Sequence, residues 1–273
     1  MKDIRMAELL LHSMREFDEV IFQIAERIEL RGVLEIGGET GAFTERLLAF
    51  CASRSVKMLT IDPKPREELM ELARASTTLD LLIGYSIPHL EEHGTDANLI
   101  LLDGDHNYYT VSSELALLDR AWKARDIAGV MLLHDVGFPH GRRDSYYDPT
   151  TIPEAQRRAF SFKHGVNFSS NKPVLGRGFR GEGVFAWAMH EDSEHSGVLT
   201  AVEDFVKSRP EYTFRKIDAV FGLGALTLTG SPADKVVGEV FAPYDNELIR
   251  RLERNRLELY FKVLELQDTW RAP

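Results

Sequence analysis

Val33-Leu-Glu-Ile-Gly-Gly-Glu-Thr-Gly-Ala-Phe-Thr44 decides how this chain folds. A short apolar run enters glycines, and a helical pattern from Phe43 through Phe50 opens behind them. Glycine is needed where a chain turns tightly and a ligand approaches its backbone. Apolar runs recur at Met58–Ile61, Leu79–Ile83, Leu99–Leu102 and Val130–Leu133. Helical patterns at 66–76 and 111–122 lie among them. Near-continuous apolar strands alternating with helices predict right-handed βαβ units and a parallel sheet covered on both faces. Further on, a helix at 197–208 precedes Thr213–Ile217 and Gly224–Leu228, whose short joint suits a hairpin. The expected fold is a Rossmann-like, doubly wound, mostly parallel seven-stranded sheet with an antiparallel edge.

Helices flank this core at both ends. Met6, Leu10, Met14, Phe17, Ile21, Ile24 and Ile28 form an N-terminal apolar stripe. Residues 244–270 read as a long helix with Leu248, Leu252, Leu259, Val263, Leu266 and Trp270 along one side. That stripe must cover the chain's own sheet or a second subunit, so a homo-oligomer contact is one expectation. The organisation expected is an N-terminal helix over 1–30, a catalytic domain over 31–230 with an insertion at 137–196, and a helical extension over 231–273.

Composition narrows the function. The chain has 273 residues, 44% hydrophobic and 28% charged, with a formal net charge of −10. An acidic molecule is poorly suited to general nucleic-acid binding. A single cysteine excludes a disulfide framework and a thiolate zinc cluster. No apolar run reaches the roughly 20 residues of a membrane span, and the opening residues lack a secretory signal pattern. A cytoplasmic protein acting on a small molecule is expected.

The glycine turn has a partner in Asp62, which ends the second strand and can accept both hydroxyls of a ribose. A nucleoside cofactor at the carboxyl edge of the sheet follows. The dinucleotide fingerprint G-x-G-x-x-G is absent, because Glu39 stands where its middle glycine belongs. A carboxylate beside a pyrophosphate is repulsive, but beside a sulfonium and an ammonium it is favourable. S-adenosylmethionine therefore fits better than NAD. Two turns should converge beside it. Asp103, Asp105 and His106 follow the fourth strand, and His134 and Asp135 follow the fifth. Charges at the end of an apolar strand are costly unless paired, metal-bound or solvated.

These residues carry a resemblance. Glu35-Ile-Gly-x-x-x-Gly-x-x-Thr44, Thr60-Ile-Asp62, Gly84-x-Ser86, Leu102-Asp-Gly-Asp-His106 and His134-Asp135 resemble class I S-adenosylmethionine-dependent methyltransferases. More narrowly, the sequence is similar to metal-dependent small-molecule O-methyltransferases of bacterial natural-product pathways, including those that act on macrolide and aminocoumarin sugars. The resemblance implies cofactor contacts from Glu35, Gly37, Gly38, Gly41, Thr44, Asp62, Ser86 and Asp103. It implies a divalent metal on Asp103, His134 and Asp135, and a base at Asp105 or His106. Two positions depart from it. Tyr85 stands where such enzymes commonly carry an acid, and His134 replaces an oxygen ligand. Mg²⁺ prefers oxygen, whereas Mn²⁺, Fe²⁺ and Zn²⁺ tolerate nitrogen.

The 137–180 stretch carries eight Lys and Arg against three acids, a local charge of +5 on a body of −15. It follows the His134-Asp135 turn and is expected to fold over the crevice as a lid. Arg142, Arg143, Arg177 and Arg180 are expected to meet an anionic small-molecule substrate, with Tyr146 and Tyr147 lining its pocket. The competing expectation is that these arginines pair with the acidic body. A nicotinamide-dependent oxidoreductase or epimerase and an N-methyltransferase are the alternative activities.

Overall fold

The computed structural model describes residues 11–168, 170–190 and 194–271. Ser13 caps a short 3-10 turn, Met14–Phe17, that leads into α1 (Asp18–Arg27). The N-terminal stripe is thus helical only from its middle: Ile28 is extended, and Met6 and Leu10 lie outside the described residues. Then come β1 (Gly32–Ile36), α2 (Thr44–Ser53), β2 (Lys57–Asp62), α3 (Glu67–Ala75) and β3 (Leu79–Ile83). A helix the apolar pattern did not signal, α4 (Ser86–His93), follows. After it stand β4 (Leu99–Leu102), α5 (Tyr108–Arg125) and β5 (Val130–His134).

The insertion is built from small strands. β6 (Ser145–Tyr146), β7 (Phe160–Ser161) and β11 (Ala186–Ala188) form one three-stranded sheet. β8 (His164–Asn167), β9 (Ser170–Leu175) and β10 (Phe179–Arg180) form another. The chain returns to the main sheet with α6 (Val198–Ser208), β12 (Tyr212–Ile217) and β13 (Leu223–Leu228), and ends with α7 (Pro232–Phe241) and α8 (Glu247–Arg271).

The main sheet has seven strands in the order β12-β13-β5-β4-β1-β2-β3. β1 to β5 pair in parallel, and β13 pairs antiparallel with β5 and β12, as expected. Strand order reverses between β1 and β4, the switch point where doubly wound sheets open a crevice at their carboxyl ends. One face packs α1, α2, α3 and α7 through residues such as Ile24, Leu47, Leu69 and Val237. The other packs α4, α5 and α6 through Leu90, Leu118, Trp122 and Val202. α7 therefore belongs to the main core, although the sequence reading placed 231–273 outside it.

Candidate active site

Gly37 sets the floor of the crevice. Its φ is +93°, and a Cβ there would lie 2.2 Å from the Asp103 carbonyl oxygen. Only glycine lets the turn after β1 lie against the turn after β4. Gly38 and Gly41 complete the turn. Beneath it Glu35 is buried, and its Oε2 accepts from Thr44 Oγ1 at 2.7 Å and Thr60 Oγ1 at 2.8 Å. Burial pushes the Glu35 carboxyl up to about 7 against those two bonds, and the charges of Asp103 and Asp62 add to the rise. Thr44 is thus turned inward, toward Glu35.

Asp62 holds its place through backbone amides. Its Oδ2 accepts from Glu39 N at 2.8 Å and its Oδ1 from Lys64 N at 2.7 Å. Each oxygen keeps a second acceptor position, which suits a pair of ribose hydroxyls. The Glu39 side chain is exposed and pairs with Arg66 at 3.2 Å. Ser86 spends its hydroxyl on Glu114 in a short buried bond, so it supports the wall of the site. Glu114 is pushed up to about 8 by burial.

The structure brings four titratable groups together at the ends of β4 and β5. His134 Nδ1 lies 3.2 Å from Asp103 Oδ1 and 3.5 Å from Asp135 Oδ2. Its Nε2 lies 3.0 Å from the Val220 carbonyl, which fixes the proton there and leaves Nδ1 facing the carboxylates. His106 Nε2 stands 3.0 Å from Asp135 Oδ2 and 3.4 Å from Asp103 Oδ1. Asp135 adopts φ +60°, and Val220 and Phe221 are also left-handed, at 45° and 64°. Such backbone strain clusters at functional sites. Burial lowers both histidines, but the facing carboxylates prevail and push His106 up to about 10 and His134 to about 9. Although burial opposes it, the Asp135 carboxyl is held below the usual range by His134, His140 and His106.

The expected metal triad Asp103, His134 and Asp135 therefore meets, with one possible ligand atom from each within 4.8 Å of the others. Atoms bound to one ion at about 2.1 Å stand roughly 3.0–3.5 Å apart. The observed 3.2 and 3.5 Å match that spacing.

Asp105 stands beside the cluster. Its Oδ2 accepts from Thr110 Oγ1 at 3.1 Å and from Asn107, and its Oδ1 receives the Tyr147 amide at 3.4 Å. Burial raises its carboxyl above the usual range. Tyr147 is 43% exposed, and its ring centre lies 5.9 Å from that of His106.

Most of the expected substrate residues are spent on structure. Arg142 makes a two-pronged pair with Glu203 of α6 at 2.6 and 2.8 Å. Arg143 is buried and donates to the Ala188 carbonyl at 2.8 Å. Arg180 pairs with Asp268 of α8 at 2.6 Å. Tyr146 is fully buried and bonds Asp144 at 2.9 Å. Arg142 and Arg180 thus reach acids of the body, while Arg143 and Tyr146 bond within the insertion itself. Tyr147 alone of the six lies against the crevice; Arg177 is exposed.

Sequence reasoning missed His140, which is buried with its ring centre 4.7 Å from that of His106. Its distance along the chain from either strand-end motif gives no ligand spacing. It also missed the bond from Tyr85 to Asp148 Oδ2, 2.7 Å, which ties the turn after β3 to the insertion.

No protein-family model matches the sequence, and no curated protein matches it. Solved structures match in fold. The methyltransferase PaMTH1 of Podospora anserina, bound to S-adenosylhomocysteine, is 13% identical with a TM-score of 0.49, over 82% of this chain and 83% of that one. A caffeoyl-CoA O-methyltransferase candidate from Staphylococcus aureus is 12% identical with a TM-score of 0.46, over 79% and 84%. The N-methyltransferase NodS of Bradyrhizobium japonicum, with S-adenosylhomocysteine, is 11% identical with a TM-score of 0.39, over 78% and 86%.

Proposed function

We propose that this chain is an S-adenosylmethionine-dependent methyltransferase that methylates a hydroxyl of a small molecule with the help of a divalent cation. One observation supports the reading: the glycine turn, Asp62 and the Asp103–His106–His134–Asp135 cluster follow the carboxyl ends of neighbouring strands at the switch point of the sheet. Asp62 takes the ribose hydroxyls. Gly37 brings the cofactor position against the Asp103 turn, so the methyl donor and the carboxylate cluster share a wall.

Methyl transfer is an in-line displacement. A bond forms from the substrate oxygen to the methyl carbon as the carbon–sulfur bond breaks, leaving neutral S-adenosylhomocysteine. When bound, a cation on Asp103, His134 and Asp135 lowers the pKa of the hydroxyl and orients it. Asp105 takes the hydroxyl proton. Burial makes its carboxylate a stronger base than usual, and Asn107 and Thr110 aim it. His106 ties Asp103 to Asp135 and holds both carboxylates in register.

Calorimetric titration with S-adenosylhomocysteine, with and without Mg²⁺ or Mn²⁺ and after EDTA, tests cofactor and metal together. Binding of S-adenosylhomocysteine in preference to NAD is expected. Absence of binding would overturn the reading. Asp105→Asn separates oxygen from nitrogen acceptors. For a hydroxyl, kcat falls about 10²- to 10⁴-fold with cofactor affinity unchanged. Unchanged kcat indicates a neutral amine acceptor, which needs no base.

A further inference from the structure

Two buried side-chain atoms in the crevice have no hydrogen-bond partner among the described residues: His106 Nδ1 and Asp135 Oδ1. Their residues are 7% and 6% exposed. Unpaired buried polar atoms are costly, and two on one ion-paired couple of residues call for an explanation. His106 turns Nε2 to the carboxylates of Asp135 and Asp103, which hold a proton on the ring that a cation would replace. Asp135 spends Oδ2 on His106 and His134, which leaves Oδ1.

His140 supplies a third atom. It is 5% exposed, stacked on Trp187 with ring centres 4.7 Å apart, and its Nδ1 lies 3.1 Å from Ser145 Oγ. The nitrogen left for a ligand is Nε2. Ser145 is fully buried and its amide donates to the His106 carbonyl at 2.9 Å, so one residue braces both histidines. His106, Asp135 and His140 each have a possible ligand atom within 4.8 Å of the others.

We propose that His106, Asp135 and His140 form a three-ligand site for a nitrogen-preferring divalent transition ion, beside the Asp103–His134–Asp135 cluster and sharing Asp135 with it. Two imidazoles and one carboxylate favour the Mn²⁺, Fe²⁺, Co²⁺ and Zn²⁺ group over Mg²⁺, whose chemistry is oxygen. His140 has its Nδ1 engaged on Ser145, the outer-shell arrangement that orients metal-bound histidines. The inference does not depend on methyl transfer.

The test is Co²⁺ titration of the metal-free full chain, followed by calorimetry and visible absorption, with neither cofactor nor substrate present. The wild type is expected to bind Co²⁺ with an imidazole-ligand spectrum that excess Mg²⁺ does not displace. His140→Gln abolishes that spectrum with circular dichroism unchanged, whereas His134→Asn retains it. Ser145→Ala, which keeps the ligands and removes the brace, weakens binding about 10- to 100-fold. Absence of the wild-type spectrum, or its persistence in His140→Gln with unchanged affinity, overturns the site. If His140→Gln does not fold, Ser145→Ala decides, and unchanged affinity there overturns it. Failure of S-adenosylhomocysteine to bind leaves this result standing, so the two readings fall separately.

Discussion

A single methyl group at position 37 would close the crevice. Gly37→Ala places a Cβ against the Asp103 carbonyl and forces a side chain into a left-handed conformation that alone costs about 1–3 kcal/mol. The expected outcome is a lower melting temperature and loss of S-adenosylhomocysteine binding, read by thermal denaturation and calorimetry. Glu114 makes a second prediction. In the folded chain its carboxyl is raised to about 8 from 4.5, so the fold binds a proton that the unfolded chain releases. This contribution to stability is full below pH 4.5 and is lost as pH rises through about 8. Glu114→Gln mimics the protonated form, and its melting temperature should fall less than that of the wild type between about pH 6 and pH 9. Asp62, Asp103 and Asp135 were legible in the sequence because each ends an apolar strand, where a charge has few structural excuses. His140 was not, because it reaches the site only through the folding of the insertion.

At the scale of elements, the sequence pattern located every strand of the main sheet, since most are short apolar runs and the mixed β12 is joined to β13 by a short turn. It passed over α7, although Ser231 caps that helix and Pro232 stands in its first turn, a start signal independent of any stripe. The long helix α8 docks through a face other than its leucine stripe, so of the two expected covers the chain's own sheet is excluded. Leu257, Tyr260 and Phe261 bury against Phe221, whereas Leu248, Leu252, Leu259, Leu266 and Trp270 are half or more exposed. Aromatic side chains form the docked face, which a search for recurring leucines overlooks. Leu252, Leu259 and Leu266 recur every seven residues, the spacing by which two helices pack against each other. We propose a second copy of the chain as their cover. Sedimentation should show a dimer that Leu259→Glu returns to monomer with its fold intact; a monomeric wild type removes the contact.

For the molecule as a whole, the division of charge was legible but its purpose was not. The basic insertion lies on an acidic body, and Arg142 and Arg180 find Glu203 and Asp268 there. Sequence supplies the signs of these charges; only the folded path of the insertion shows which acids they reach. Asp268→Asn takes from the partly buried Arg180 the nearer of its two carboxylates, Glu182 being the other at 3.6 Å, and removing that partner exposes part of the arginine's desolvation cost. Limited proteolysis should then cut the insertion faster than in the wild type, with cleavage of the main sheet unchanged.

The bond between Tyr85 and Asp148 has a consequence in time. It spans from the turn after β3 to the insertion, so movement of the insertion away from that turn must break it. Opening of such a clasp is a diffusive motion, and in many enzymes that step, not the chemistry, limits turnover. For the proposed methyl transfer, a turnover that waits on this opening predicts that kcat slows as solvent viscosity rises. Tyr85→Phe, which removes the hydroxyl and keeps the ring, should turn over faster and lose that viscosity dependence.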